Sequence, residues 1–192
     1  MVKLTRIYTR TGDEGQTGIG DGSRVSKLNE RIIAGGSVDE TNCGLGIAAA
    51  DCSDRSTVEL LHQLQQLLFD LGADISCPWT PDAQDDRCPR LSAAHTQWLE
   101  KQIDAATSRL SPLDSFVLPG GTRLAAALHM ARSVCRRAEV DVLRLQQTVS
   151  LNPHVAIFLN RLSDLLFVMA RLANDDGKGD VLWSPGRAIT GR

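Results

Sequence analysis

Apolar residues that recur every three or four positions constrain this chain most, because such spacing places them on one face of an α-helix. The clearest stripe is formed by Leu60, Leu61, Leu64, Leu67, Leu68 and Leu71. Four further stretches repeat the same spacing, whereas strand-like patterns are weak and limited to about 5–9 and 181–183. The sequence therefore predicts an all-α, up-and-down bundle of about five helices.

Capping residues and helix breakers predict where these helices begin and end. Ser37 followed by Glu40 has the form of a capping box and predicts a first helix over about 37–52. The other four are predicted to run from about Ser56 to Gly72, from Ser92 to before Pro112, from Thr122 to about Gln147, and from Pro153 to about Asn174. We expect one domain over 1–192, made of an N-terminal loop (1–36), the bundle (37–175) and a C-terminal tail (176–192).

The composition excludes several classes of protein. The net charge is −2 and aromatic residues make up only 4% of the chain, which argues against a protein that binds nucleic acid. The N-terminus lacks the apolar core of a signal peptide, and no apolar run approaches the ~20 residues of a membrane span. We therefore predict a soluble, cytoplasmic protein with neither a nucleic-acid nor a membrane partner.

The cysteines and histidines give no sign of a metal centre. The five cysteines, an odd number, contain no C-x-x-C pair, which argues against a structural zinc site and a disulfide framework, so we expect reduced thiols. Glu59 and His62 form half of a di-iron signature, but no second Glu-x-x-His accompanies them. We therefore predict no metal bound by protein side chains.

The first 36 residues, here called the leader, differ from the rest of the chain. They hold seven of the 16 glycines, and their charged residues give a net positive charge. Glycines let backbone N–H groups turn towards a phosphate, while Thr hydroxyls and cations add further contacts. The candidates are Thr9, Arg10, Thr11, Gly12, Asp13, Gly15, Thr17 and Gly18, with Lys27 able to reach the same anion. An ordinary flexible leader is the alternative.

The predicted fourth helix carries a cluster of charges. Arg132, Arg136 and Glu139 are spaced so that they share one face, with Arg137 one step round. Such a face can clamp a carboxylate or phosphate, although ion pairs within the helix remain the alternative. On the fifth helix, Asn160 occupies a mid-helix position where asparagine is normally kept for its hydrogen bonds.

Three sequence blocks, taken in order, are specific. They cover 8–17 (YTRTGDEGQT), 116–121 (FVLPGG) leading into 127–139 (ALHMARSVCRRAE), and 159–167 (LNRLSDLLF). In these blocks the chain resembles the PduO-type ATP:cob(I)alamin adenosyltransferases, and the resemblance covers nearly its whole length. Residues 38–42 (VDETN) also match the first helix of that family.

The resemblance implies a fold, an assembly and an activity. The fold is a ferritin-like, cobalamin adenosyltransferase-like five-helix bundle, and the assembly is a homotrimer with active sites at subunit interfaces. The activity is transfer of the 5′-deoxyadenosyl group of ATP to cob(I)alamin, which gives adenosylcobalamin and triphosphate. The resemblance places ATP on the leader residues named above and on Arg136, Arg137, Glu139 and Asn160.

The resemblance also assigns roles to the remaining candidates. Arg132 and Asp39 match a pair that forms a salt bridge across the subunit boundary, and Phe116 matches the aromatic residue that closes the lower face of the corrin. We therefore expect Asp39, Phe116, Arg132 and Arg136 to carry catalysis. Mg²⁺ is expected to accompany ATP, with K⁺ as a further ion. A flavoprotein reductase and an adenosylcobalamin-dependent mutase are the expected protein partners.

Two other functions stay open on the sequence. The first is a non-catalytic, ATP-binding helical bundle that acts as a nucleotide sensor or a cobalamin carrier. The second is a structural helical oligomer whose arginines form salt bridges between subunits. Titration with ATP distinguishes the structural oligomer from the others, and release of triphosphate distinguishes the enzyme from the carrier.

Overall fold

The computed structural model describes residues 6–20, 22–80 and 88–186, which form five long helices and one small hairpin. The helices are α1 (Glu30–Ala50), α2 (Arg55–Ser76), α3 (Ala93–Thr107), α4 (Arg123–Leu145) and α5 (His154–Ala173). Strands β1 (Gln16–Gly18) and β2 (Arg24–Ser26) pair antiparallel within the leader, with Thr17 opposite Val25. The predicted all-α bundle of five helices is confirmed.

Helices α1, α4 and α5 form the centre of the bundle. Helix α4 packs between α1 and α5, while α2 covers the other side of α1 and α3 packs on α5. The leucine stripe of α2 faces this core, with Leu61, Leu64, Leu68 and Leu71 fully or almost fully buried. None of the helices in the described ranges is long and apolar enough to cross a membrane.

The first helix begins at Glu30, so the predicted start at Ser37 is wrong. Asn29 is the N-cap, and its side chain accepts a hydrogen bond from the N–H of Arg31. Ser37 is instead buried inside the helix, where its hydroxyl donates to Asp141 Oδ2 at 2.6 Å. Burial of Ala34 against the core keeps the adjacent glycines helical against their intrinsic preference. The predicted boundary of the leader at residue 36 therefore falls inside α1.

The other helix ends lie close to their predicted positions, except at the C-terminal ends of α2 and α3, and α3 ends at Thr107, well before Pro112. Helix α2 continues past Gly72 to Ser76, because burial of Ile75 offsets the roughly 1 kcal/mol that a glycine costs inside a helix. The candidate strand at 181–183 is a single bridge, in which Leu182 pairs with Val117. The candidate at 5–9 forms no strand over its described part, 6–9, and residue 5 lies outside the described ranges.

Cys77 and Cys88 form a disulfide, so the expectation of reduced thiols is wrong for this pair. The remaining cysteines, Cys43, Cys52 and Cys135, are free. The two bonded residues are 11 apart in sequence, and only the tertiary structure brings the end of α2 to the segment before α3. Asp74 secures this junction, since its buried carboxylate accepts from the N–H of Leu91 and from Arg90.

Candidate functional site

The leader folds into a tight turn that presents the predicted phosphate-binding residues to solvent. The hydroxyls of Thr9 and Thr11 lie 2.9 Å apart, and Arg10 between them has a positive φ of 61°. Gly15 has a φ of 78°, a conformation that favours glycine. Thr17 and Gly18 lie on β1, and Asp13 is exposed in the turn. The structure thus brings these candidates together in one small surface.

Lys27 lies against this turn. A Cβ atom added to Gly12 would sit only 3.2 Å from Lys27 Nζ, so the ammonium group lies directly beside the glycine backbone. The N–H of Lys27 donates to the carbonyl of Gly15 at 2.8 Å, which fixes the base of the turn. A phosphate bound by the turn would therefore also contact the ammonium group of Lys27.

Arg24, the first residue of β2, supports this turn and was not among the predicted site residues. Its guanidinium donates to the carbonyls of Thr11 at 2.5 Å and Gln16 at 3.3 Å. These bonds hold the turn closed over the hairpin. One acceptor lies in the turn and the other begins β1, and only the folded hairpin brings them to Arg24, so no sequence spacing could have indicated these bonds.

The arginines of α4 have different surroundings. The Arg132 guanidinium lies 6.0 Å from the ring of Phe167, and its Nε is buried without a hydrogen-bond partner among the described residues. Burial and the charge of Arg136 lower the pKa of Arg132, which nonetheless stays cationic. Arg136 is exposed and makes no hydrogen bond or ion pair within the described ranges. Arg136 is therefore free to bind an anion.

The neighbouring charges of α4 pair with other helices and not with each other. Arg137 forms an ion pair with Glu40 on α1. Glu139 accepts a hydrogen bond of 3.1 Å from the side-chain amide of Asn160 on α5. Arg137 and Glu139 are therefore not held by ion pairs within α4, which was the alternative interpretation of the sequence. Instead, they form a polar line across α1, α4 and α5 beside the free guanidinium of Arg136.

Asp39 does not meet Arg132 within one subunit. It lies exposed on α1 and has no ion pair in the described part of the chain. The predicted contact between Asp39 and Arg132 was assigned to two different copies, so a single chain leaves that prediction untested.

Phe116 lies on the linker between α3 and α4 with its ring 77% exposed. Its backbone pairs with the C-terminal tail, because the N–H of Trp183 donates to the Phe116 carbonyl at 2.7 Å. The Trp183 ring lies 6.0 Å from the Phe116 ring and tilted by 59°. Trp183 was not among the predicted site residues, although a lone tryptophan after the last helix was a visible signal. Together the two rings form an exposed aromatic wall.

The leader and this aromatic wall lie at opposite ends of the bundle. Glu30, which begins α1 after the leader's hairpin, accepts a hydrogen bond from the Thr148 hydroxyl beyond the C-terminal end of α4, at 3.0 Å. Phe116 precedes Thr122, which caps the N-terminal end of α4. The 23 residues of α4 separate these ends by about 34 Å. One ligand cannot touch both surfaces within a single subunit.

A separate cavity among the described residues does not contain the predicted site residues. A cavity of about 920 Å³ opens between α2 and α3, and none of the predicted site residues lines it. Cys135 is buried, its thiol donates to the Leu159 carbonyl, and burial raises the pKa of that thiol, which makes it a poor nucleophile. The predicted residues instead occupy open surfaces, and such surfaces can form a site between copies.

Comparison with known proteins identifies the family of this chain. A family model described as cobalamin adenosyltransferase matches residues 7–173. The chain belongs to that family. It is 45% identical to a corrinoid adenosyltransferase of Mycobacterium leprae, over 96% of this chain and 98% of the relative. It is 38% identical to the corrinoid adenosyltransferase PduO of Salmonella typhimurium, of which it covers 50%.

A solved structure of the cobalamin adenosyltransferase family matches almost the whole bundle. It is a variant of a PduO-type ATP:corrinoid adenosyltransferase from Lactobacillus reuteri, complexed with cobalamin and ATP. The TM-score is 0.86 at 38% identity, over 94% of this chain and 97% of that chain. A second variant of the same enzyme, complexed with ATP, has a TM-score of 0.82. Family membership thus agrees with the resemblance that the sequence blocks carried.

Proposed function

We propose that this chain transfers the 5′-deoxyadenosyl group of ATP to cob(I)alamin, forming adenosylcobalamin and releasing triphosphate. The observation that carries the proposal is its likeness, over 94% of its length, to an adenosyltransferase that holds cobalamin and ATP together. In this reaction cobalt(I) attacks C5′ of ATP, the C5′–O bond breaks, and the triphosphate leaves with the electron pair of that bond. The metal centre is the nucleophile, so the protein needs no activated Ser, Cys or His.

The protein has to bind and stabilise a highly charged leaving group. Arg136 is exposed and unpaired among the described residues, and Lys27 lies beside the glycine backbone of the leader turn. Fixed cations of this kind stabilise charge that develops in the transition state. We assign the triphosphate to the leader turn with Arg136 and Arg137, and the ribose to Glu139 and Asn160.

Phe116 has to keep ligands away from the lower face of the cobalt. A polar side chain there would coordinate the metal or admit water, whereas an aromatic ring does neither. Removing the lower ligand makes cobalt easier to reduce to the nucleophilic state. We therefore assign Phe116 to the lower face of the corrin, with Trp183 behind it. The corrinoid supplies the reactive metal and the protein supplies placement.

We propose that the active site lies between copies of a homotrimer. The leader and Phe116 lie at opposite ends of one bundle, so a site that uses both needs the leader of one copy and the aromatic wall of another. Arg136, Val140 and Leu143 share one face of α4, and the two apolar residues are 46% and 43% exposed. Exposed apolar residues in line with a binding residue suit a surface that a second copy covers. Asp39 and Arg132 are assigned to a salt bridge across this boundary.

Mg²⁺ is expected to enter the site on the nucleotide. In the described part of the chain no group of three or more His, Cys, Asp or Glu side chains could hold a metal ion. A site without such a group suits Mg²⁺ that is bound mainly by phosphate oxygens and water, as is common for nucleotide sites. When bound, the ion would neutralise part of the charge on the leaving triphosphate. K⁺ stays an expectation from the resemblance alone.

The chemistry of the reaction indicates its protein partners and its location in the cell. Cob(I)alamin is strongly reducing, so a flavoprotein reductase is the expected electron source, and an adenosylcobalamin-dependent mutase is the expected consumer of the product. We propose the cytoplasm as the location, because ATP and reducing power are both available there.

An anaerobic assay tests the proposed function. Purified protein, ATP and chemically reduced cobalamin should yield the light-sensitive spectrum of adenosylcobalamin and one triphosphate for each product formed. Binding of ATP without triphosphate release would favour the carrier or sensor. Failure to bind ATP would leave only a structural oligomer.

A further inference from the structure

A buried polar cluster at the end of α5, here called the clasp, consists of Arg171, Asn174 and Asp180. Arg171 and Asp180 form an ion pair of 2.8 Å, with side chains only 8% and 2% exposed. Asn174 donates to the other carboxylate oxygen of Asp180 at 3.1 Å. Buried charges of this kind need every partner in place, so the cluster is rigid.

The clasp holds both ends of the linker that carries Phe116. Arg171 donates to the carbonyl of Ser111 at 3.1 Å, at the start of that linker. Asn174 donates to the carbonyl of Gly120 at 3.2 Å, and its own side-chain oxygen accepts from the N–H of Thr122 at 3.0 Å. Phe116 lies between these two attachment points.

At Gly121 the linker passes so close to the clasp that it leaves no room for a side chain. It has a φ of 100°, and a Cβ atom added there would lie 2.1 Å from the side-chain oxygen of Asn174. Any other residue at this position would clash with the clasp. The close approach of linker and clasp is therefore a specific fit.

The clasp also holds the tail that backs Phe116. Asp180 anchors the tail, and the next residues pair with the linker: Leu118 N–H donates to the Val181 carbonyl at 2.8 Å. The hydroxyl of Ser115 donates to the Trp183 carbonyl at 2.7 Å. Linker and tail thus reach Phe116 from two sides, and both begin at the clasp.

We propose that Arg171, Asn174 and Asp180 are positioning residues for the aromatic wall of Phe116 and Trp183. A ring that is 77% exposed has little packing of its own, so its place is set by the backbone that carries it. The inference rests on the proposed function, because it assigns the clasp to the exclusion of a lower cobalt ligand. It predicts that the clasp controls the coordination of cobalt and leaves the nucleotide surface on α4 and the leader unchanged.

The test uses the full chain with Asn174→Ala, and Asp176→Asn as the matched control. Asp176 lies two residues away but pairs with Arg109 on the surface, outside the clasp. With ATP bound, Asn174→Ala should lose most of the absorption and EPR signal of four-coordinate cob(II)alamin. Its kcat should fall by about 10- to 100-fold while the KM for ATP stays within about twofold. The control should match the wild type in all three.

A second pair of variants keeps the test decisive if Asn174→Ala does not fold. Trp183 is 47% exposed, so Trp183→Ala should fold and yet lose the four-coordinate signal, and Trp183→Phe should restore it. A folded Asn174→Ala with a wild-type signal would overturn the proposal, as would a Trp183→Ala variant with unchanged spectra.

Hydrogen exchange separates this inference from the proposed function. In Asn174→Ala the N–H groups of Leu118 and Trp183 should exchange at least about tenfold faster, while those inside α5 keep their protection. This result needs no cobalamin, so it decides the role of the clasp even if the wild type forms no adenosylcobalamin. Unchanged exchange at both positions would overturn the proposal.

Discussion

The guanidinium groups of Arg132 and Arg136 lie one helical turn apart on α4, yet only one of them is free to take a ligand. Arg132 packs over Phe167 with a buried, unpaired Nε, and Arg136 extends into solvent. The sequence predicted that these residues share a face, since helical spacing requires it. It could not predict their burial, which depends on a ring contributed by α5.

Replacing Arg136 tests its role in binding the leaving group. Arg136→Ala should lower kcat/KM for ATP by about 30- to 1,000-fold, equivalent to about 2–4 kcal/mol of transition-state stabilisation. Arg123→Ala is the matched control, because Arg123 lies on the same helix with its side chain 88% exposed. Steady-state kinetics of both variants would remove Arg136 from the site if its loss were no larger than that of the control.

The buried side chain of His129 should make the stability of the protein depend on pH. Burial, and then the charge of Arg132, lower the pKa of His129, and neither ring nitrogen has a partner among the described residues. The unfolded chain binds a proton near pH 6.5 and the folded chain resists it, so stability should fall as the pH drops below about 6.5, by up to about 1.4 kcal/mol per pH unit from this group. Urea unfolding between pH 7 and pH 5 measures the slope.

Two variants test whether His129 causes this pH dependence. His129→Leu should flatten the slope, whereas substitution of the exposed His62 by Gln should leave it as in the wild type. An unchanged slope in His129→Leu would show that other groups control the pH dependence.

At the scale of whole elements, the helices follow local periodicity and their ends follow tertiary contacts. Thr122 was predicted as the N-cap of α4, and its side chain does accept from the N–H of Ala125. Ser37 also has the sequence context of a capping residue, but it lies inside α1, where its hydroxyl donates a hydrogen bond to the Asp141 carboxylate on α4. A capping residue and a buried polar contact look alike in sequence, and only packing distinguishes them.

The junction of α2, α3 and α5 depends on Asp74. Its carboxylate, only 1% exposed, accepts from Arg90, from the N–H of Leu91 and from Asn152. Asp74→Ala removes all three of these bonds and leaves the buried N–H of Leu91 without its acceptor, so it should lower the free energy of unfolding by about 3–5 kcal/mol. Glu59→Ala, which removes an exposed pair with Arg55, should cost less than about 1 kcal/mol. Equal losses in urea denaturation would contradict this account.

The Cys77–Cys88 disulfide closes the segment between α2 and α3. Its removal should lower the free energy of unfolding by about 2–3 kcal/mol, because the unfolded chain regains the freedom of a short loop. Urea unfolding with and without dithiothreitol measures the effect, and Cys88→Ser should match the reduced protein. Cys43→Ser, at an exposed free cysteine, should not change the midpoint. Insensitivity of the wild type to the reductant would contradict the prediction.

On the scale of the whole molecule, the predicted site residues are divided between the two ends of the bundle. The sequence blocks at 8–17 and 116–121 indicated the family, and the structure adds that about 34 Å of helix separates them within a subunit. This separation depends on the antiparallel packing of α1 and α4, which no single block encodes. A site that uses both blocks therefore has to combine residues of two copies.

Complementation between two impaired variants tests this claim most directly. Lys27→Ala damages the leader and Phe116→Ala damages the aromatic wall, so each alone should have low activity. Differently tagged copies, coexpressed and purified through both tags, form mixed trimers in which about one third of the composite sites, one in each ring, receive an intact leader and an intact wall. We predict adenosylcobalamin formation well above that of either parent. Activity equal to the average of the two parents would place each site within one chain and contradict the account.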